Sequence, residues 1–279
     1  MSAICYAHFS NAQASNLVYA DSSSSFHRFE VPNIKPPVRV ETAPAVVDNT
    51  PQYNAELNGI IAGWVQAQPK TNQWGVAVKG LANTNLEASS GGDTVFETAS
   101  VFKLYLVYAL SQRIPEDQWA TTMVDDKRSL ADCVKAMLER SDNACGIAVG
   151  NKLGWSKAQA NVRTGGYTHT NLNGMPITST PNDTLKFLDD LYNARNVTPQ
   201  LRDEMLGYMR SSIYRQGIVA GCPDCVVANK TGNLDGVTHD VAIIQVDGKD
   251  FTLSIYSKGG TQKQIAALTT IIQQYVRSH

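Results

Sequence analysis

Three short motifs whose side chains could act together follow one another along the chain: Ser100-x-x-Lys103, Ser141-Asp142-Asn143 and Lys230-Thr231-Gly232. In the first motif a hydroxyl and an amine are three residues apart, which on a helix places both on one face. The lysine can then take the proton of the serine as the serine attacks an acyl group. The second and third motifs add another hydroxyl and another ammonium. These residue types predict acyl transfer through a serine nucleophile.

The surroundings of Lys103 favour a catalytic reading over a polar pair on a solvated helix face. The run from Val101 to Leu110 is apolar on every side apart from Lys103, which predicts a buried helix. Thr98 and Ala99 mark its start, so Ser100 would lie at the positive end of the helix dipole, where a developing oxyanion is stabilised. Burial would lower the pKa of Lys103 and make it a base near neutral pH.

Each of the other two motifs has a possible structural role as well as a chemical one. Apolar residues at near-helical spacing precede Ser141, so the second motif lies at the end of an amphipathic helix, where Ser, Asp and Asn are also common capping residues. The third motif follows the apolar stretch 226–228 and precedes the strand-like run 241–246, which predicts an edge strand. Gly232 would let a ligand backbone approach closely, and Lys230 and Thr231 could hold a carboxylate.

In this order the three motifs resemble those of the serine β-lactamases and penicillin-binding proteins, and most closely the class A β-lactamases. The resemblance extends to the segment 178–183 ahead of a helix and covers roughly residues 53–279. It implies Ser100 as nucleophile, Lys103 as base or proton relay, and Ser141 as the proton shuttle to the leaving nitrogen. The residues that it implies in substrate binding are Asn143, Lys230, Thr231, Gly232 and Asn233, and the backbone N–H groups of Ser100 and Asn233 would form the oxyanion hole. Arg215 is either a carboxylate clamp or an ordinary surface arginine.

One departure from that family concerns release of the acyl group. Class A enzymes carry a loop glutamate that activates the hydrolytic water, whereas no Asp or Glu occurs here from Asn143 to Asn182. His169 could replace it, because the unperturbed pKa of histidine lies near neutrality, or it could simply be solvated. We therefore expect an intact nucleophile with slow deacylation.

The order of predicted elements indicates an α+β fold of the α/β/α sandwich type. An amphipathic helix from Leu57 to Val65 and a strand at 74–78 open the domain, and a strand at 251–256 and a helix carrying residues 265–275 close it. This predicts an antiparallel sheet flanked by terminal helices, with an inserted all-helical lobe and the site between the two parts. Residues 1–52, rich in Ser and Pro, are predicted to be a disordered leader or linker, and 53–279 the serine hydrolase domain.

The five cysteines give weaker signals. Cys222 and Cys225 have the C-x-x-C spacing and are expected to form a local disulfide if the protein is exported, or two inert thiols if it is not. Cys133 and Cys145 are expected to be packed thiols, and Cys5 is uninformative. No second ligand pair suggests zinc, so neither a metal nor another cofactor is expected.

Composition limits the range of partners. The 24 basic and 25 acidic residues give a formal net charge of −1 without a basic stripe, which argues against nucleic acid and anionic membranes. No apolar run is long enough for a transmembrane helix. We expect a monomer outside the cytoplasm whose ligand is a β-lactam or a peptidoglycan stem peptide. It would be a β-lactamase-like hydrolase; a D-alanyl-D-alanine peptidase or transpeptidase and a penicillin-binding sensor that does not hydrolyse remain as alternatives.

Overall fold

The computed structural model describes residues 54–81, 86–195 and 197–279, and the leader predicted at residues 1–52 lies outside this part of the chain. The described residues fold as expected into an antiparallel sheet with terminal helices on one face and a group of helices on the other. Among these residues, no helix is long and apolar enough to cross a membrane.

A five-stranded antiparallel sheet, ordered β2-β1-β7-β6-β5, forms the middle layer. The strands are β1 Gln73–Gly80, β2 Glu87–Ser90, β5 Val226–Leu234, β6 Val237–Val246 and β7 Lys249–Lys258. Short turns connect β5 to β6 and β6 to β7. After β2 the chain therefore passes to the opposite edge of the sheet, forms β5 there, and comes back strand by strand until β7 pairs with β1. Strand β5, which carries Lys230, Thr231 and Gly232, is an edge strand as predicted.

The terminal helices α1 (Ala55–Gln66) and α9 (Gln262–Ser278) cover one face of this sheet. Leu57 and Ile61 of α1 and Ile265 and Leu268 of α9 are fully buried in a core that includes the apolar side chains of β1 and β7. Helix α9 begins with a capping box, in which the Thr261 side chain and the third helical residue satisfy each other's backbone N–H groups. The short helix α8 (Ile218–Gly221) packs against α9.

The helical lobe lies on the other side and is built around α2 (Phe102–Ser111). Every residue of α2 from Lys103 to Leu110 is buried, which confirms the predicted central helix. The helices packed around it are α3 Leu130–Glu139, α4 Asn143–Leu153, α5 Trp155–Thr164, α6 Pro181–Tyr192 and α7 Pro199–Arg210. Helix α6 also packs on β1 and β7, so it forms a contact between the helical lobe and the sheet.

A second, two-stranded sheet pairs β3 (Phe96–Glu97) with β4 (Thr178–Ser179). The Thr98 N–H continues this pairing by donating to the Ile177 carbonyl at 2.9 Å. The residues just before Ser100 are therefore tied to the segment that leads into α6. This small sheet fixes where α2 begins relative to the rest of the lobe.

Candidate active site

Ser100 lies in a 3₁₀ turn, Ala99–Val101, that leads directly into α2. The preceding Ala99 has φ of 47°, a left-handed conformation that is uncommon for a residue with a Cβ. From the first turn of α2, Lys103 reaches back so that its Nζ donates to Ser100 Oγ at 2.8 Å. The three-residue spacing thus brings the Lys103 amine within hydrogen-bond distance of the Ser100 hydroxyl, as the sequence predicted.

Ser141 lies across from this pair, in the turn between α3 and α4, and also has a left-handed backbone with φ of 57°. Lys103 Nζ donates to the Ser141 carbonyl and to Asn143 Oδ1, both at 2.7 Å. Lys230 Nζ, from β5, donates to Ser141 Oγ at 2.8 Å. The Ser141 hydroxyl therefore bridges the two amines, because Lys103 Nζ is also 3.4 Å from Ser141 Oγ.

Both amines are removed from water. Lys103 is 0% and Lys230 1% exposed. Burial lowers the pKa of Lys103 to about 8, an effect that the nearby Asp142 carboxylate partly opposes. Burial, together with repulsion from Lys103, lowers the pKa of Lys230 to about 7. Each lysine can thus lose its proton near neutral pH, and the Ser141 hydroxyl between them is placed to pass a proton from one to the other.

Asp142 has a structural task within the second motif. Its carboxylate caps α4 by accepting from the Cys145 N–H at 2.7 Å, so the capping reading of this motif applies to Asp142, while Ser141 and Asn143 contact Lys103. The expectation that Cys133 and Cys145 are free packed thiols is wrong, because they form a disulfide between α3 and α4. Helical spacing alone gave no signal that the two sulfurs meet.

Gly232 is required by packing within the protein. A Cβ at this position would lie 2.7 Å from the Thr98 carbonyl oxygen, 3.1 Å from Val101 Cγ2 and 3.2 Å from the Ala99 Cβ. The glycine therefore lets β5 lie directly against the turn that holds Ser100. The Ser100 segment lies against this glycine, and the approach of a ligand backbone to Gly232 stays a prediction.

Two buried polar residues of β6 fix the surroundings of the site, and the sequence reasoning did not single them out. His239 Nδ1 accepts from the Ser257 N–H, so its Nε2 carries the hydrogen and donates to the Glu97 carbonyl at 2.8 Å. Burial lowers the pKa of His239 to about 4. Asp240 accepts from Ile218 N–H and Asn229 Nδ2, and burial raises its pKa to about 6. The sequence feature that could have indicated them is a His-Asp pair directly before the apolar run 241–244.

A cavity of about 170 Å³ opens in front of Ser100. Its lining residues are Glu97, Thr98, Ala99, Ser100, Phe102, Asn143, Met175, Ile177, Asn233 and Leu234. Met175 is 92% and Leu234 52% exposed, so two large apolar side chains face solvent at this opening. Glu97 is the only carboxylate among the described residues that line the cavity, and it lies outside the stretch 143–182.

The cavity accounts for some of the predicted substrate-binding residues and omits others. Asn143 and Asn233 line it, and the Asn233 side chain accepts from Gln262 Nε2 at 3.0 Å. Thr231 is buried and its carbonyl accepts from Lys230 Nζ. Arg215 is exposed and donates to the Arg210 carbonyl at 2.9 Å, as an ordinary surface arginine would. His169 does not line the cavity; it is exposed, and its backbone N–H donates to Asp183 Oδ2.

Within the described part of the chain, the one cluster of side chains with metal-ligand chemistry is Cys222, Asp224 and Cys225. Its two sulfurs form the disulfide that was expected for an exported protein. Arg277 donates to Asp224 Oδ2 at 2.7 Å and contacts both sulfurs. A cation would meet a guanidinium here, so the arrangement suits a disulfide better than a metal ion.

Comparisons with known proteins agree with the fold described above. A profile of the beta-lactamase enzyme family matches residues 55–276. Among solved structures, a mutant of PBP-A in an acyl-enzyme complex with penicillin G is 19% identical over 82% of this chain and 98% of its own, with a TM-score of 0.71. The TLA-1 extended-spectrum β-lactamase is 20% identical over 81% of this chain and 99% of its own, with a TM-score of 0.68.

A variant of the last common ancestor of the class A β-lactamases of Gram-negative bacteria is 22% identical over 81% of this chain and all of its own, with a TM-score of 0.70. A search of curated proteins finds no match. At these identities the solved structures establish a shared fold.

Proposed function

Because the chain belongs to the beta-lactamase enzyme family, we propose that it forms an acyl-enzyme on Ser100 with β-lactams and releases the acyl group slowly. The observation that carries the proposal is the hydrogen-bonded series Ser100, Lys103, Ser141 and Lys230, in which two hydroxyls alternate with two buried amines whose pKa is lowered. Such a series can remove a proton from the nucleophile and deliver one to the leaving group without a free histidine.

The acylation step follows from these contacts. Neutral Lys103 takes the hydroxyl proton of Ser100 as Ser100 Oγ bonds to the carbonyl carbon of the lactam. When the resulting tetrahedral intermediate collapses, the carbon–nitrogen bond breaks and the nitrogen takes a proton from Ser141. Ser141 regains a proton from Lys103, which holds the proton taken from Ser100 and thereby returns to its neutral form. The backbone N–H groups of Ser100 and Asn233 are assigned to the oxyanion, since Gly232 holds their two segments together.

Substrate binding is assigned to Asn143, which lines the cavity, and to Lys230 and Thr231, which are buried and are not among its lining residues. Asn143, whose Oδ1 accepts from Lys103, would orient the acyl amide, and Lys230 with Thr231 would attract the substrate carboxylate. No separate role is assigned to Arg215, whose guanidinium donates to its own segment. The two disulfides favour an oxidising compartment outside the cytoplasm, which is where β-lactams and peptidoglycan are found.

Slow release is proposed because the stretch 143–182 lacks a carboxylate; Glu97, the carboxylate among the lining residues, comes from another segment and is tested below. The members of this stretch that line the cavity are Asn143, Met175 and Ile177, and none of these side chains can act as a general base toward water. General-base catalysis typically contributes a factor of about 10² to 10⁴. This feature also favours the second candidate, a penicillin-binding protein acting on D-alanyl-D-alanine ends, in which β-lactams would remain bound as long-lived esters.

A chromogenic cephalosporin and a fluorescent penicillin, used in parallel, test the proposal. We expect one equivalent of fast product, then a weak steady rate, with the label on the peptide that contains Ser100. An adduct on Ser141, or no labelling, would contradict the assignment of the nucleophile. Fast sustained turnover would contradict slow release, and Glu97→Gln and His169→Ala would then identify which side chain supplies the base.

A further inference from the structure

The Cys133–Cys145 disulfide spans the turn that carries Ser141. Cys133 lies in the first turn of α3 and Cys145 in the first turn of α4, and the bond closes a loop of 12 residues that contains the whole second motif. Both cysteines are 0% exposed. The hydroxyl that bridges Lys103 and Lys230 is therefore held inside a covalently closed loop.

The turn needs such a restraint because its conformation is not one that the backbone adopts readily. Ser141 has φ of 57°, and a left-handed backbone is uncommon for a residue that carries a side chain. Its hydroxyl must stay within hydrogen-bond distance of Lys230 Nζ while its carbonyl accepts from Lys103. A relaxation of the turn toward an ordinary backbone conformation would move both groups away from the amines.

The noncovalent restraints on the turn are hydrogen bonds and one partly exposed ion pair. The Asp142 N–H donates to the Ala136 carbonyl at 3.1 Å, and the Asp142 carboxylate caps α4. Arg128 pairs with Asp142 at 3.6 Å, but both side chains are about one third exposed, at 34% and 35%. Ion pairs of this kind contribute little in water. The disulfide adds a buried covalent link between the two helices on either side of Ser141, beside the apolar core that they share.

We propose that Cys133 and Cys145 are positioning residues for acylation, whose disulfide holds Ser141 between the two lysines. This inference rests on the proposed function, because it assigns the disulfide to the proton transfer that follows attack by Ser100. Reduction breaks the sulfur–sulfur bond, takes up two electrons and two protons and leaves two thiols. A trialkylphosphine can supply the electrons and, with water, becomes the phosphine oxide. Acylation is then faster in the oxidised than in the reduced protein.

The second disulfide provides a matched control. Cys222 and Cys225 precede β5 and are bonded to each other across a loop of three residues, beside Arg277. Neither lines the cavity in front of Ser100. Cys222→Ala/Cys225→Ala should therefore leave the first-order rate of acylation by saturating fluorescent penicillin within about two-fold of wild type. Cys133→Ala/Cys145→Ala should lower that rate by about ten-fold or more, since small misplacements of catalytic groups are costly.

A double-mutant cycle separates positioning from a general loss of structure. If the disulfide acts through Ser141, the ten-fold loss should shrink to less than about two-fold when it is removed from the Ser141→Ala protein. A loss of full size in that background, or no loss in the wild-type background, would overturn the proposal. Should the double alanine variant fail to fold, the Cys222→Ala/Cys225→Ala protein, treated with a trialkylphosphine under native conditions, gives the same comparison.

A measurement that does not need acylation keeps the two proposals apart. Amide hydrogen exchange of residues 140–145 should accelerate by about ten-fold or more when Cys133–Cys145 is removed, and should not change when Cys222–Cys225 is removed. If penicillin labels neither the wild type nor any variant, the proposed function fails. Unchanged exchange in this segment overturns the positioning role whether or not the protein reacts with penicillin.

Discussion

The change Gly232→Ala tests the close contact between β5 and the turn that holds Ser100. The added Cβ would lie 2.7 Å from the Thr98 carbonyl oxygen, whereas carbon–oxygen contacts are normally about 3.3 Å or longer, so β5 must retreat by about 0.6 Å. The contacting atoms belong to the backbone and to buried side chains, which cannot rotate away. We expect this overpacking to cost about 1–3 kcal/mol of the free energy of unfolding.

The same displacement separates the two segments that carry the proposed oxyanion donors. Loss of one such donor lowers the rate of acyl transfer by a factor of about 10² to 10³. A partial displacement should therefore lower the acylation rate by about ten-fold or more, even at a temperature where the variant is fully folded. Urea denaturation measures the first effect, and labelling by fluorescent penicillin measures the second.

Gly63→Ala is the matched control, because Gly63 lies inside α1 and an added Cβ there meets nothing within 4 Å. Alanine in the interior of a helix is favoured over glycine, so we expect the free energy of unfolding to rise by about 0.5–1 kcal/mol with no change in labelling. If Gly232→Ala keeps both the stability and the labelling rate of wild type, the contact between β5 and the Ser100 turn does not hold the site together.

Three further outcomes are expected. Lys103→Ala should lose acylation, and Lys103→Arg should not restore it, because arginine keeps the charge but cannot act as a base; substantial labelling of the arginine variant would refute the base role. The acylation rate at saturating penicillin should rise from pH 6 and level off above the lowered Lys103 pKa of about 8, since only the neutral amine accepts the Ser100 proton. A rate that does not change with pH over this range would contradict the role of Lys103 as base. His169→Ala should leave the burst and the slow steady rate unchanged within about two-fold, because His169 is exposed and does not line the cavity; a lost steady rate in intact-mass and colour assays would show that it activates water.

The sequence determined the local parts of this protein. Buried apolar residues on every side of Lys103 and the three-residue spacing from Ser100 are properties of one helix, so they could be predicted without any distant contact. The strand β5 and the helix that ends before Ser141 could likewise be predicted from local apolar patterns. The C-x-x-C disulfide could be anticipated because its two cysteines are neighbours in the chain.

Only the tertiary structure decided what depends on contacts between distant segments. Cys133 and Cys145 bond because α3 and α4 pack against each other, which no spacing rule encodes. Gly232 is needed because β5 meets Thr98, more than a hundred residues earlier. The cavity gathers Glu97, Met175 and Leu234 from three separate segments. Local sequence fixes which side chains a helix or strand presents, but the partners of those side chains are set by the way in which the elements pack.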